Sequence, residues 1–79
     1  MTEEIKVDQE LDCSGLSCPI PVLKTKKAIN ALSSGQVLKV TSTDPGSNKD
    51  MPSWCKRTGN PILKQEDQGN SYIFFIQRK

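Results

Sequence analysis

Apolar and polar residues alternate at most positions along Ile5-Lys6-Val7-Asp8-Gln9-Glu10-Leu11, which predicts a half-buried first strand, and Asp12-Cys13-Ser14-Gly15 reads as the loop that follows it. Over residues 19–32 the period lengthens. At about 100° per residue Val22, Thr25, Ala28, Ile29 and Leu32 share one arc while Lys24, Lys26, Lys27 and Asn30 fall outside it, so an amphipathic helix is expected, closed by Ser33-Ser34-Gly35. Residues 36–42 are rich in β-branched side chains and predict a second strand, with Thr43-Asp44-Pro45-Gly46 a turn leading into a helix. Helical spacing returns in Met51, Trp54, Cys55 and Thr58, but Pro52 lacks a backbone donor and is expected to kink or restart this second helix, with Asp50 capping its second piece. Gly59-Asn60-Pro61 ends it. Residues 62–66 and 71–77, joined by Asp67-Gln68-Gly69-Asn70, read as a closing hairpin.

The order is βαβαββ. Short connections and right-handed crossovers turn it into an α/β (α+β) two-layer sandwich: a four-stranded mixed sheet with both helices packed on one face, the other face partly solvated. The 79 residues are expected to form one domain, 1–79, with a modest core and no room for a deep multi-site cleft. The hydrophobic fraction of 34% falls in spaced clusters, the mark of a folded chain. No apolar run approaches the roughly 20 residues of a membrane span, and Met1-Thr2-Glu3-Glu4-Ile5-Lys6 does not resemble a signal peptide. A cytoplasmic location is therefore expected, where three cysteines stay reduced and serve thiol chemistry rather than a disulfide framework. A net charge of +2 is too weak to argue for nucleic acid, and the chain is expected to act as a monomer, away from membranes.

Cys18 carries the chemistry. It stands between a loop and Pro19, a residue favoured at the first helical position, which places the thiol at the helix N-cap and at the positive end of the helix dipole. Such environments lower a cysteine pKa from about 8.5 to roughly 3.5–7.5 and so generate the nucleophilic thiolate. Pro21 cannot donate to the cap, leaving the Ile20 N–H as the donor for the sulfur and the cap weakly satisfied. The chain contains no His, which excludes a Cys-His pair, and it lacks closely spaced zinc ligands; neither metal nor cofactor is expected. Thiol exchange, in which one thiolate attacks a sulfur and another leaves, needs no such base.

Leu11-Asp12-Cys13-Ser14-Gly15-Leu16-Ser17-Cys18-Pro19-Ile20-Pro21 closely resembles the signature of the TusA (SirA-like) family: Leu-Asp, two variable residues, Gly-Leu, one variable residue, Cys-Pro-x-Pro. The resemblance runs on through the basic helix, Gly35, Thr43-Asp44-Pro45, Lys49-Asp50-Met51-Pro52-Ser53-Trp54-Cys55 and the aromatic last strand. It implies a sulfur carrier that acts with partner enzymes, taking sulfane sulfur as a persulfide on Cys18. The implied donor is a cysteine desulfurase or a rhodanese. The implied acceptors serve tRNA thiolation, molybdenum-cofactor biosynthesis or dissimilatory sulfur oxidation. The chain departs from many members at Ile20, where Glu is frequent, and at Cys13, in a variable position.

Other residues carry two readings. Cys55 shares a stripe with Met51 and Trp54 and is expected in the core, although family members often have Cys there. Cys13 either packs at the end of the first strand or lies near Cys18 and resolves its persulfide as a disulfide. Lys24, Lys26 and Lys27 form a solvated helix face, or with Leu23, one turn beyond Cys18, a partner-docking patch. Asp50 serves as a cap or as a functional group. Two rival functions follow: a regulatory binding module working through the basic helix, and a Cys13–Cys18 thiol-disulfide switch.

Overall fold

The computed structural model describes residues 6–17 and 20–79. Among these, six elements follow in the order β1 (Gln9–Cys13), α1 (Ile20–Asn30), β2 (Val37–Ser42), α2 (Ser47–Thr58), β3 (Ile62–Asp67) and β4 (Tyr72–Gln77). One mixed sheet runs β1-β2-β4-β3, with β1 parallel to β2 and the other two pairings antiparallel.

Register sorts the side chains into two faces. Leu11 pairs with Val40 and Val40 with Phe74, while Leu38 pairs with Ile76 and Ile76 with Ile62. These rows meet Ile29 and Leu32 of the α1 segment and Met51, Trp54 and Cys55 of α2 in one apolar cluster. Both helices thus cover one face, as the element order and right-handed crossovers predict. Phe74, Leu38, Ile76, Val40 and Met51 are fully buried, each contributing about 1.5–3 kcal/mol from area removed from water. The opposite face carries Glu10–Lys39 and Lys64–Glu66 ion pairs at 3.9 and 3.0 Å. On β3 the register slips between Ile62 and Lys64, so Leu63 is extruded and 45% exposed, a bulge that blunts an edge strand.

Three sequence expectations need correction. β1 starts four residues later than Ile5, which itself lies outside the described residues, and it absorbs Asp12 and Cys13, read above as loop. The Asp8 carboxylate accepts the Val37 N–H at 2.9 Å and the Asp8 N–H donates to the Val37 carbonyl, so a side-chain clasp precedes the ladder. Pairing with Thr41 and Ser42 then holds Asp12 and Cys13 extended, tertiary context overriding turn preference. Second, α2 is continuous through Pro52. The carbonyl that Pro52 leaves without an intrahelical donor belongs to Asn48, an exposed residue, where water can take the donor's place. Third, Asp50 consequently caps no second piece. It is half-buried in the first turn of α2, where a carboxylate suits the helix dipole, and Gly46 occupies the N-cap.

Candidate functional site: the loop between β1 and α1

Because β1 and β2 are parallel neighbours, their C-terminal ends, Cys13 and Ser42, lie side by side as a register pair. β1 leads into α1 and β2 into α2, so both helices begin at the same end of the sheet and direct their positive poles there. Cys18 and Pro19 lie outside the described residues, and with them the N-cap expected at Cys18. In chain order Cys18 falls between β1 and α1, two residues before α1 begins.

The described part of that loop is tightly turned. Asp12 Oδ1 accepts the Ser14 N–H at 2.9 Å, and hydrogen bonds from the Ser14 side chain and backbone hold its carboxyl below the usual range. Gly15 sits at φ +79°, a left-handed conformation that no other residue type adopts as cheaply. This turns its N–H onto Thr43 Oγ1, 2.8 Å away in the β2–α2 loop. Leu16 donates to the Cys13 carbonyl at 3.2 Å and packs against the core. The Ile20 N–H, assigned above to the sulfur, instead donates to the Ser17 carbonyl at 2.9 Å. That donor is therefore already engaged.

Pro21 also differs from expectation. Read above as a residue that withholds a donor from the cap, it is fully buried, and its carbonyl accepts the Thr25 hydroxyl at 2.8 Å. The buried stripe of α1 is therefore Pro21, Thr25 and Ile29, with Val22 and Ala28 half-buried beside it. Turning the stripe this way leaves Ile20 42% and Leu23 56% exposed. Leu23, Lys24 and Lys27 come together, with Lys26 and Asn30, along one shallow concavity on the outer face of α1.

The two described thiols are withdrawn. Cys13 is fully buried at the end of β1, and burial pushes its pKa up, the Lys24 ammonium opposing and the Asp12 carboxylate adding to the shift. Lys24 thus exerts its charge on the β1 end, beside the loop. Cys55 is 4% exposed in the core, and burial pushes its thiol up to about 12. Both are protonated at neutral pH and poor nucleophiles. Among the described residues no three His, Cys, Asp or Glu are grouped to hold a metal.

A family model described as Sulfurtransferase TusA matches residues 9–78, from the first residue of β1 past the end of β4. The chain belongs to the TusA family. It is 52% identical over 71 residues to the sulfur carrier protein TusA of Allochromatium vinosum, covering 90% of this chain and 93% of that one. A putative sulfur carrier protein of Bacillus subtilis, YrkI, is 46% identical, with 94% and 99% covered. The crystal structure of a SirA-like protein from Desulfitobacterium hafniense superposes with a TM-score of 0.76 at 26% identity, over 87% of this chain and 95% of that one. The TusA match takes in all six elements and the loop between β1 and α1. The sequence shows Thr43 only as part of a turn and of the family resemblance; its contact with the loop escapes that reading, since a bond spanning 28 residues leaves no local pattern.

Proposed function

We propose that Cys18 is the residue on which this sulfur carrier bears its cargo, as a persulfide, within a single domain spanning the chain. The carrier role itself, with a sulfur donor and a sulfur acceptor as partners, comes with the TusA family. One observation carries the choice of residue: Cys13 and Cys55 are buried, and burial holds both thiols protonated. A carrier must offer its sulfur to two proteins in turn, and of the three cysteines only Cys18 lies in the loop that precedes α1.

The chemistry is one exchange run twice. The Cys18 thiolate attacks the terminal sulfur of a donor persulfide R–S–SH. The donor's S–S bond breaks, R–S⁻ leaves, and the new bond yields Cys18–S–SH with the proton still on the terminal sulfur. Attack by an acceptor thiolate on that terminal sulfur repeats the step, and no net oxidation occurs. The positive ends of both helices favour the thiolate as attacking and as leaving group. We assign partner docking to the concavity of Leu23, Lys24 and Lys27, an exposed apolar side chain flanked by cations one turn and more beyond Cys18. A cysteine desulfurase or a rhodanese is the proposed donor, in the cytoplasm, and among the described residues no helix is long and apolar enough to cross a membrane. A Cys13–Cys18 switch is the weaker reading, because burial keeps the Cys13 thiol protonated and shielded from a solvent oxidant.

Incubation of the reduced chain with inorganic polysulfide, followed by intact-mass measurement, tests the assignment. One added, reductant-labile sulfur is expected, and none in Cys18→Ser. An adduct that persists in Cys18→Ser would move the site to another cysteine.

A further inference from the structure

We propose that Thr43 is a positioning residue for sulfur exchange: its hydroxyl, accepting the Gly15 N–H, fixes the loop that leads to the reactive thiol. The inference rests on the assignment of the persulfide to Cys18. Among the described residues, the other loop hydrogen bonds are local: Ser14 N–H to Asp12, Leu16 N–H to the Cys13 carbonyl, and Ile20 N–H to the Ser17 carbonyl. Among the hydrogen bonds of the described residues, the bond from Gly15 to Thr43, at 2.8 Å, ties the loop to another segment.

Three observations make this tie more than a surface contact. A Cβ built on Gly15 meets nothing within 4 Å, so space does not demand glycine there; the φ of +79° does, and that conformation is what turns the N–H onto Thr43. Thr43 stands on a braced support. Beside it the Ser42 and Ser47 hydroxyls form a buried hydrogen bond of 2.8 Å, and the Asp44 N–H donates to Ser42 Oγ at 3.3 Å, locking the end of β2 to the start of α2. Thr43 itself is exposed and outside the apolar cluster, so the packed core gains nothing from it. A local turn motif made by Thr with its own segment is the ordinary reading of such a residue, but this hydroxyl accepts from a residue 28 positions away.

Positioning matters here because the chain has no histidine to act as a base, leaving orientation and the thiolate fraction to set the rate. Displacement at sulfur demands alignment of attacking, central and leaving atoms, and small misplacements of a reacting group cost rate. Gly15 is three residues from Cys18 in the chain, so slack in that turn passes directly to the thiol.

The test compares the full chain with Thr43→Val, Thr43→Ala and Thr43→Ser, loading each with inorganic polysulfide under quench conditions and following intact mass. Thr43→Val and Thr43→Ala are expected to load about fivefold more slowly, the rate equivalent of one ordinary hydrogen bond, while still reaching one sulfur per chain. Thr43→Ser is expected to restore the rate to within about twofold, because the hydroxyl is the acceptor. Amide exchange at Gly15 should accelerate in the first two variants and not in the third. Loading at the unchanged rate while Gly15 exchange accelerates would overturn the proposal. So would slow loading that Ser fails to rescue, which would put the effect in the methyl group. Retention of the adduct in Cys18→Ser, by contrast, would remove the carrier assignment and the positioning role together.

Discussion

The assignment of Cys18 rests partly on Cys55 being unavailable, and replacing Cys55 with alanine tests that directly. Cys55 is 4% exposed, and burial raises its thiol from the ordinary 9.0 to about 12. The folded state therefore keeps a proton that the unfolded chain releases above pH 9, so the stabilisation is fully present below pH 9 and lost as pH rises toward 12. Each pH unit in that window costs about 1.4 kcal/mol, about 4 kcal/mol across it. Cys55→Ala removes the titrating group and one sulfur's worth of packing, costing about 1 kcal/mol at pH 7. The two stability curves should therefore cross near pH 10, and by pH 11 the variant should be the more stable by about 2 kcal/mol. Urea unfolding under reductant at pH 7, 9, 10 and 11 reads this out, and Tyr72, the lysines and Cys13 cancel because both proteins carry them. Parallel curves over the whole range would mean a Cys55 thiol that ionises as readily folded as unfolded. Cys55 would then be a competitor for the sulfur.

Iodoacetamide at pH 7.5 should add one label to the native chain and three in urea, read by intact mass, since Cys13 and Cys55 are buried. Arg78 Nη1 donates to the carbonyls of Asn30 and Leu32 at the end of α1, so Arg78→Ala should lower urea stability by about 1–2 kcal/mol. Arg78→Lys should recover only part of that, because its ammonium is more strongly hydrated and sits on a flexible stem without the pre-organised guanidinium plane. Phe74→Ala empties the centre of the core, and a loss of about 4 kcal/mol, a large share of the roughly 4–12 kcal/mol available to a chain this size, should leave a partly unfolded population visible by circular dichroism.

What the chain disclosed in advance was whatever local periodicity controls. The aromatic last strand read in residues 71–77 and the i, i+3, i+4 spacing of Met51, Trp54 and Cys55 reappear as β4 and as the core face of α2. The errors share one cause, in that each misplaced residue takes its state from a distant partner. Asp12 and Cys13 carry turn chemistry but are held extended by Thr41 and Ser42. Pro21 reads as part of the helix entry but lies in the buried stripe of α1, while Leu23 is left exposed with Lys24 and Lys27, as the spacing predicts. Pro52 ought to break α2, yet a helix already fixed by Met51, Trp54 and Cys55 in the core can carry one unmatched carbonyl on its wet side.

If the sulfur is carried on Cys18 as proposed, the same dependence on distant contacts explains how a chain with three cysteines and no histidine is selective. Thiol identity is settled by topology before chemistry begins: a parallel β1–α1–β2 unit buries Cys13 at the end of a strand, and α2 folds Cys55 into the core. Desolvation then holds both thiols protonated. The loop left between β1 and α1 lies where two helix N-termini converge, the one end of this fold whose backbone field favours an anionic sulfur. A thiolate in that field needs no base, and a persulfide bond to it breaks readily because the departing sulfur is stabilised by the field that activated it. On the assignment proposed for Cys18, acceptance and release become one property of the site, and the direction of transfer passes to whichever partner occupies the proposed docking face of α1.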